Sequence, residues 1–216
     1  MTFTRRVFGH PSQVTVPAPR LYGRRIMLRP LMPTDGAPWS EVRRRNDAWL
    51  TPWEPRRAQG LSDPALDRDA FNHRCTSRDR DRQAGTAFGF GLFVDNALAG
   101  EVNINSIARG AMQSGTVGYW IDQAHAGHRY VAEAVVVLAK FSFEELHLHR
   151  LEVCIVPRNA NSRRVMEVLQ FREEGIAQRF LEINGVWEDH VRYGFTAEEW
   201  AERQSVLASD WLSGTV

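Results

Sequence analysis

The stretch IDQAHAGHRYVAEAV, residues 121–135, passes from the tail of a strand-like segment into a helix that is apolar almost all round. Between them stand Ala126, Gly127, His128 and Arg129. The first four backbone N–H groups of a helix have no partner inside it, and the helix dipole adds partial positive charge at that end. A glycine in the preceding turn lets those N–H groups approach a ligand closely. Such a turn is an anion site, suited to a phosphate or pyrophosphate. His128 and Arg129 add donors. A plain strand-to-helix turn would use the same glycine, so the stretch by itself leaves both possibilities open.

Other eye-catching residues carry less chemistry. His125 with His128, and His147 with His149, have metal-like spacing, but no third ligand is spaced with either pair, and no metal is expected. Arg43, Arg44 and Arg45, and the run RDRDR, read as solvated helical faces of mixed charge. Trp49 and Trp53, set among prolines, read as core.

The elements that must position the turn follow from periodicity. Residues 1–20 hold three prolines and read as an arm or tail. LYGRRIMLRPL, residues 21–31, reads as one strand. A helix follows Asp35, with Trp39, Val42 and Trp49 as apolar markers. After a proline-broken connector, a second helix is expected from a Ser62 or Asp63 cap, with Pro64 in its first turn. Two strands flank Asp95-Asn96, and GTVGYWID is a third. VAEAVVVLAKFSFEEL is a buried helix. HRLEVCIVP is a strand with Leu151, Val153 and Ile155 on one face, and NANSRRVMEVLQF is a helix. RFLEINGVWEDHVRYGF is a hairpin around Asn184-Gly185. TAEEWAERQSVL is a last helix. This order predicts an α/β arrangement: one domain over residues 21–205, a mixed sheet flanked by helices, and a tail over 206–216.

Composition sets the outer bounds. The chain has 216 residues, 43% hydrophobic and 25% charged, with a formal net charge of +1. No basic field points to nucleic acid or an anionic membrane. Two cysteines cannot make a disulfide framework, which fits a reducing compartment. The start has no long apolar run after its arginines, so a cytoplasmic protein without a secretory signal is expected.

The order of segments resembles the GNAT superfamily of acyl-CoA-dependent N-acetyltransferases, and within it the RimJ/RimL-type branch that acetylates protein N-termini, including those of ribosomal proteins. LYGRRIMLRPL, RRNDAWLTPWEP, LAGEVNI, GYWIDQAHAGHRYVAEAV, LEVCIVPRNANSRRVMEVLQF and INGVWEDH match in family order, over nearly the whole chain. The resemblance implies the GNAT fold and acetyl-CoA as co-substrate. It implies that Trp120, Ile121, Ala126, Gly127, His128, Arg129, Tyr130, Val131, Ala132, Asn159 and Ser162 bind the co-substrate. Asn46, Trp53, Glu54 and Tyr119 would stand on the acceptor side. The acceptor would be a protein or peptide N-terminus, and the protein a monomer or homodimer.

Two positions depart from the family pattern. In its pyrophosphate loop, usually Gln/Arg-x-x-Gly-x-Gly/Ala, Ala124 holds the first polar position and Arg129 the last small one. With Arg129 in helical geometry, its side chain is expected to reach a phosphate as a charge-assisted donor. If the position needs a glycine's room, CoA binding is impaired. Gln170 stands where the family commonly ends its helix with glycine, at a cost of about 1–2 kcal/mol in a left-handed cap.

The chemistry needs a neutral amine. An α-amine near pKa 7.7–8.0 loses its proton at pH 7 for about 1–1.4 kcal/mol, whereas a lysine near 10.4 requires about 4.6 kcal/mol. No strong base stands out, which favours an α-amine. Glu101 is a candidate base, or else a strand carboxylate paired with an arginine. Glu182, Asp189 and a water relay are others. A backbone N–H of the GYWID strand would meet the oxyanion. Many relatives protonate the leaving thiolate with a tyrosine where Met166 stands here, so Ser162 is the available hydroxyl, or else a first-turn helix cap. Asn159 would cap the helix, bind the pantetheine amides, or both. A small-molecule amine as acceptor and a CoA-binding module without turnover are the competing readings.

Overall fold

The computed structural model describes residues 18–212. The reading of residues 1–17 as an arm lies outside them. The chain opens not with one strand but with two, β1 (Leu21–Tyr22) and β2 (Ile26–Arg29), paired antiparallel. A buried carboxylate causes the fold-back. Glu133 accepts the Arg25 backbone N–H at 2.6 Å and its Nε at 2.8 Å. A side chain at Gly23 would meet the same carboxylate oxygen at 2.6 Å, so only glycine lets the turn wrap it.

Helix α1 (Gly36–Arg45) ends at Asn46, and α2 (Asp47–Leu50) restarts the chain in a new direction. α3 (Arg68–Ala84) starts later than a Ser62 or Asp63 cap predicts. Asp63 instead accepts the Ala65 N–H and closes a separate turn, while Asp67 caps the helix through the N–H groups of Asp69 and Ala70. Strands β3 (Phe88–Val94) and β4 (Ala97–Ala108) flank Asp95 and Asn96, both at positive φ as a two-residue hairpin turn requires. β5 (Ser114–Ile121) leads through the turn into α4 (Tyr130–Lys140), which continues as a π-helical turn to Glu145. β6 (Arg150–Ile155) and α5 (Ala160–Leu169) follow. β7 (Arg172–Ile183) and β8 (Val186–Thr196) turn at Asn184 and Gly185, again both at positive φ; the hairpin begins seven residues before the predicted segment. α6 (Ala197–Trp211) runs past residue 205, and Leu207 and Leu212 lie in the core, so residues 206–212 of the predicted tail are helix and core, while 213–216 lie outside the described residues.

The eight strands of the described residues form one sheet in the order β1-β2-β3-β4-β5-β6-β8-β7. All pairs are antiparallel except β5 and β6. The main core gathers Val102 and Ile104 of β4, Ala134 to Ala139 of α4, Leu151, Val153 and Ile155 of β6, Met166 of α5 and Trp200 of α6. A second core, formed by Trp39, Phe71 and Cys75 against Phe93 and Leu98, lies under α1 and α3.

Gln170 closes α5 at φ 51° and ψ 43°, the left-handed position. It is exposed, and the backbone geometry favours glycine over glutamine there. Gln170→Gly is expected to add about 1 kcal/mol of stability. Denaturant unfolding should show a higher midpoint at unchanged slope; an unmoved midpoint would mean that the cap carries no strain.

Candidate active site

The parallel pair of strands makes the opening. β5 and β6 are paired only where Ser114 to Thr116 face Arg150 to Glu152. Beyond that register they part. Tyr119, Trp120 and Ile121 then line a groove of about 660 Å³, together with the α4 turn, the start of α5 and the segment around Trp53.

The turn is built by backbone geometry. Asp122 accepts the Ala124 N–H at 3.2 Å and starts a 3-10 turn over Gln123–His125. Ala126 is extended, Gly127 has φ 79°, and Arg129 has φ 64° and ψ 13°. Arg129 is therefore the left-handed residue before α4, and the condition of helical geometry is not met. The small residue that the family pattern carries there fits this conformation. The arginine takes up the backbone strain, and its side chain lines the groove. Ala126, Gly127, Tyr130, Val131 and Ala132 also line it. Tyr130 to Ala132 are the first residues of α4, so their N–H groups are ones without a helical acceptor. The groove thus offers a pyrophosphate free amides, a helix N-terminus and a cation. His128 stands aside: its ring stacks on Tyr130 at 5.7 Å, and its Nδ1 lies 2.9 Å from the Ala126 carbonyl. It shapes the turn rather than lining the groove.

One residue behind the turn was missed by sequence reasoning. Asp122 is 1% exposed. Its carboxylate pairs with Arg45 and accepts Asn46 Nδ2 at 2.8 Å. Burial pushes its pKa up, but the hydrogen bonds from Arg45, Asn46 and the Ala124 N–H outweigh this and hold it down to about 2. Asn46 completes the lock. Its Nδ2 also donates to the Val42 carbonyl and its Oδ1 accepts the Gln123 N–H at 2.9 Å. Asn46 is thus a buried tie between α1 and the turn, not an acceptor-side residue.

At the start of α5, Asn159 accepts the Ser162 N–H at 3.1 Å and is the N-cap. Ser162 is therefore free of capping. Its Oγ donates to the Tyr119 hydroxyl at 2.9 Å, and Tyr119 donates to the Ser162 carbonyl at 3.3 Å. Asn159, Ser162 and Tyr119 all line the groove; Met166 is fully buried in the core. Burial pushes the Tyr119 phenol well above its ordinary pKa, and the Ser162 hydrogen bond only partly opposes that.

Glu101 does not line the groove. It is 2% exposed, accepts Trp39 Nε1 at 2.6 Å and pairs with Arg74, beside the second core. The paired-carboxylate reading holds for it, and its candidacy as base falls. Glu182 and Asp189 do not line the groove either; Asp189 accepts the Arg179 N–H at 2.8 Å. The carboxylate that does line it is Glu54, gripped by both terminal nitrogens of Arg43 at 2.7 and 2.6 Å. Trp53 lies beside it, with the Arg158 guanidinium 4.6 Å over its ring. Arg158 also pairs with Glu188 and donates to the Pro52 carbonyl, and the Asn184 N–H donates to the Glu54 carbonyl at 2.8 Å. The tip of the β7–β8 hairpin is thereby fastened to the 51–54 segment, and the two make one wall.

Residues 25–172 match the acetyltransferase (GNAT) domain family. The chain is 36% identical over 172 residues to the probable N-acetyltransferase YjcK of Bacillus subtilis (strain 168), covering 79% of this chain and 93% of that protein. It is 29% identical over 196 residues to the ribosomal protein uS5-alanine N-acetyltransferase of Escherichia coli (strain K12), covering 90% and 98%. Among solved structures, Mycobacterium smegmatis RimJ in complex with CoA-disulfide aligns at a TM-score of 0.79 and 28% identity, covering 93% of this chain and 98% of that one.

Proposed function

The chain belongs to the GNAT acetyltransferase family, and from that premise we propose that it moves the acetyl group of acetyl-CoA to the N-terminal α-amine of a protein, of the ribosomal-protein kind. The likeness to the uS5-alanine enzyme over almost its full length supports a protein acceptor. The observation that carries the α-amine is the state of the groove's carboxylate. Glu54 is held at both oxygens by Arg43, so it is engaged as the partner of a guanidinium rather than open towards the acceptor. A groove whose carboxylate is so engaged suits an amine that sheds its proton easily.

The chain's residues divide the work. The free amides at the start of α4 and the Arg129 guanidinium take the pyrophosphate. The parted edge of β5 takes the pantetheine arm, and its backbone N–H groups face the carbonyl under attack. Trp53 and Glu54, braced by Arg43 and the hairpin, form the wall along which the acceptor lies. Ser162, which lines the groove beside Tyr119, is the hydroxyl assigned to the departing thiolate.

The test uses two peptides: one with a free N-terminus and no lysine, the other with a blocked N-terminus and a lysine. Intact-mass analysis should show acetylation of the first faster by about 250- to 500-fold at pH 7, the gap that the two amine pKa values set. Equal rates would sink the α-amine assignment. Absence of thiol release with either would sink acetyl transfer to peptides.

A further inference from the structure

The hydroxyls of Tyr119 and Ser162 come from elements 43 residues apart in sequence and meet where β5 leaves β6. Each is half-buried, and each lines the groove. Asn159, not Ser162, caps α5, and Tyr119, paired with Val102 of β4 and packed against the main core, lies on the β5 edge that β6 has left. The pair is also directional. Ser162 gives its proton to Tyr119, and Tyr119 gives its own to the Ser162 carbonyl. In this arrangement Ser162 has lone pairs to spare but no proton for the groove. A phenol can turn its O–H about the C–O bond at little cost, because a carbonyl oxygen and a hydroxyl oxygen of the same residue both lie within its reach.

We propose that Tyr119 is a positioning residue for Ser162: by turning its O–H from the Ser162 carbonyl to the Ser162 Oγ, it releases the serine proton towards the groove at the moment the thiolate departs. The inference rests on acetyl transfer as the activity. As the C–N bond forms and the C–S bond breaks, Ser162 hands its proton to sulfur and takes up the proton that the acceptor nitrogen sheds. Tyr119 keeps its proton throughout, and both hydroxyls end neutral. Burial, which holds the phenol protonated, suits a group that orients a proton without losing one. This differs from a tyrosine donor at the Met166 position, which is a buried core residue here.

The experiment is a double-mutant cycle on the full chain: wild type, Tyr119→Phe, Ser162→Ala and the double variant. Each is assayed by thiol release from acetyl-CoA with a free-N-terminus peptide, and each is checked by denaturant unfolding. Tyr119→Phe should lower kcat about tenfold or more, within the range of general acid–base help, and leave KM for acetyl-CoA within about twofold. In the Ser162→Ala background the same change should cost less than about twofold, because there is no hydroxyl left to orient. A wild-type kcat in Tyr119→Phe overturns the inference, and so do losses that multiply across the cycle. Should Tyr119→Phe alone fail to fold, the double variant, which leaves no unmatched hydroxyl, is compared directly with Ser162→Ala. Equal kcat supports the inference and a further loss overturns it. Wild type that releases no thiol with any peptide removes the activity itself, an outcome distinct from active wild type with indifferent Tyr119.

Discussion

Gly127→Glu should reduce acetyl-CoA affinity by at least two orders of magnitude in a calorimetric titration. Two effects add. Gly127 sits at φ 79°, where a residue with a Cβ costs about 1–2 kcal/mol. The larger effect is charge. A carboxylate within about 5 Å of a phosphate, at an effective dielectric of about 20, repels it by about 3 kcal/mol, more than a hundredfold in Kd. Steric exclusion does not enter. A Cβ at this position would meet nothing within 4 Å. Gly127→Ala is therefore the matched control. It carries the backbone strain without the charge, so its affinity should fall by no more than about tenfold, and raising the salt concentration should recover part of the Gly127→Glu loss but none of the Gly127→Ala loss. Unchanged affinity in Gly127→Glu would show that the pyrophosphate lies elsewhere and would remove the turn from the binding groove.

What the sequence showed of this groove and what it hid divide by the range of the interactions. The glycine turn, the buried α4, the alternation of Leu151, Val153 and Ile155, and the Asn184-Gly185 turn are local patterns, and the chain folds as they predict within the GNAT arrangement. The errors arise where a distant side chain overrides local preference. Nothing near LYGRRIMLRPL announces that Glu133 will sit inside its turn and split it in two. Asn46 looks like an acceptor residue between two helices until Asp122, 76 residues away, takes its amide. Glu101 looks like a strand base until Trp39 and Arg74 enclose it. Arg129 misleads for the opposite reason: arginine is a good helix former, and only the demand of the turn places it in left-handed geometry. Asp122 itself carried a local signal. An aspartate that ends a strand and precedes a short turn commonly accepts the N–H two residues on, which it does with Ala124. The Tyr119–Ser162 contact had none, because hydroxyl pairs across two elements leave no periodicity.

Asp122→Ala should be the most destabilising single change near the groove, by about 3 kcal/mol. The carboxylate is almost fully buried, and removing it leaves Asn46 Nδ2 with one acceptor fewer and the Ala124 N–H with none from this side chain. Arg45, 45% exposed, can turn to water and loses less. The lost lock also frees the turn that leads to Gly127, so acetyl-CoA should bind roughly tenfold more weakly even to the folded fraction. Asp122→Asn separates charge from shape. It keeps an acceptor for Ala124 and Asn46 and gives up the charge and the pair with Arg45, so its cost should be about 2 kcal/mol with affinity close to wild type. The two proteins should also differ in acid. The Asp122 pKa is about 2 in the folded chain against 3.8 ordinarily, so the folded state prefers the ionised form. Its stabilising contribution is complete above about pH 4 and fades as the pH falls towards 2, for a total of about 2 kcal/mol. Other carboxylates, Glu174 among them, lose stability in the same window, so the diagnostic quantity is the difference between wild type and Asp122→Asn. That difference should shrink between pH 4 and pH 2 and stay constant from pH 5 to pH 8. A difference that is constant down to pH 2, measured by unfolding at each pH, would mean that the charge on Asp122 does not hold the turn and that shape alone does.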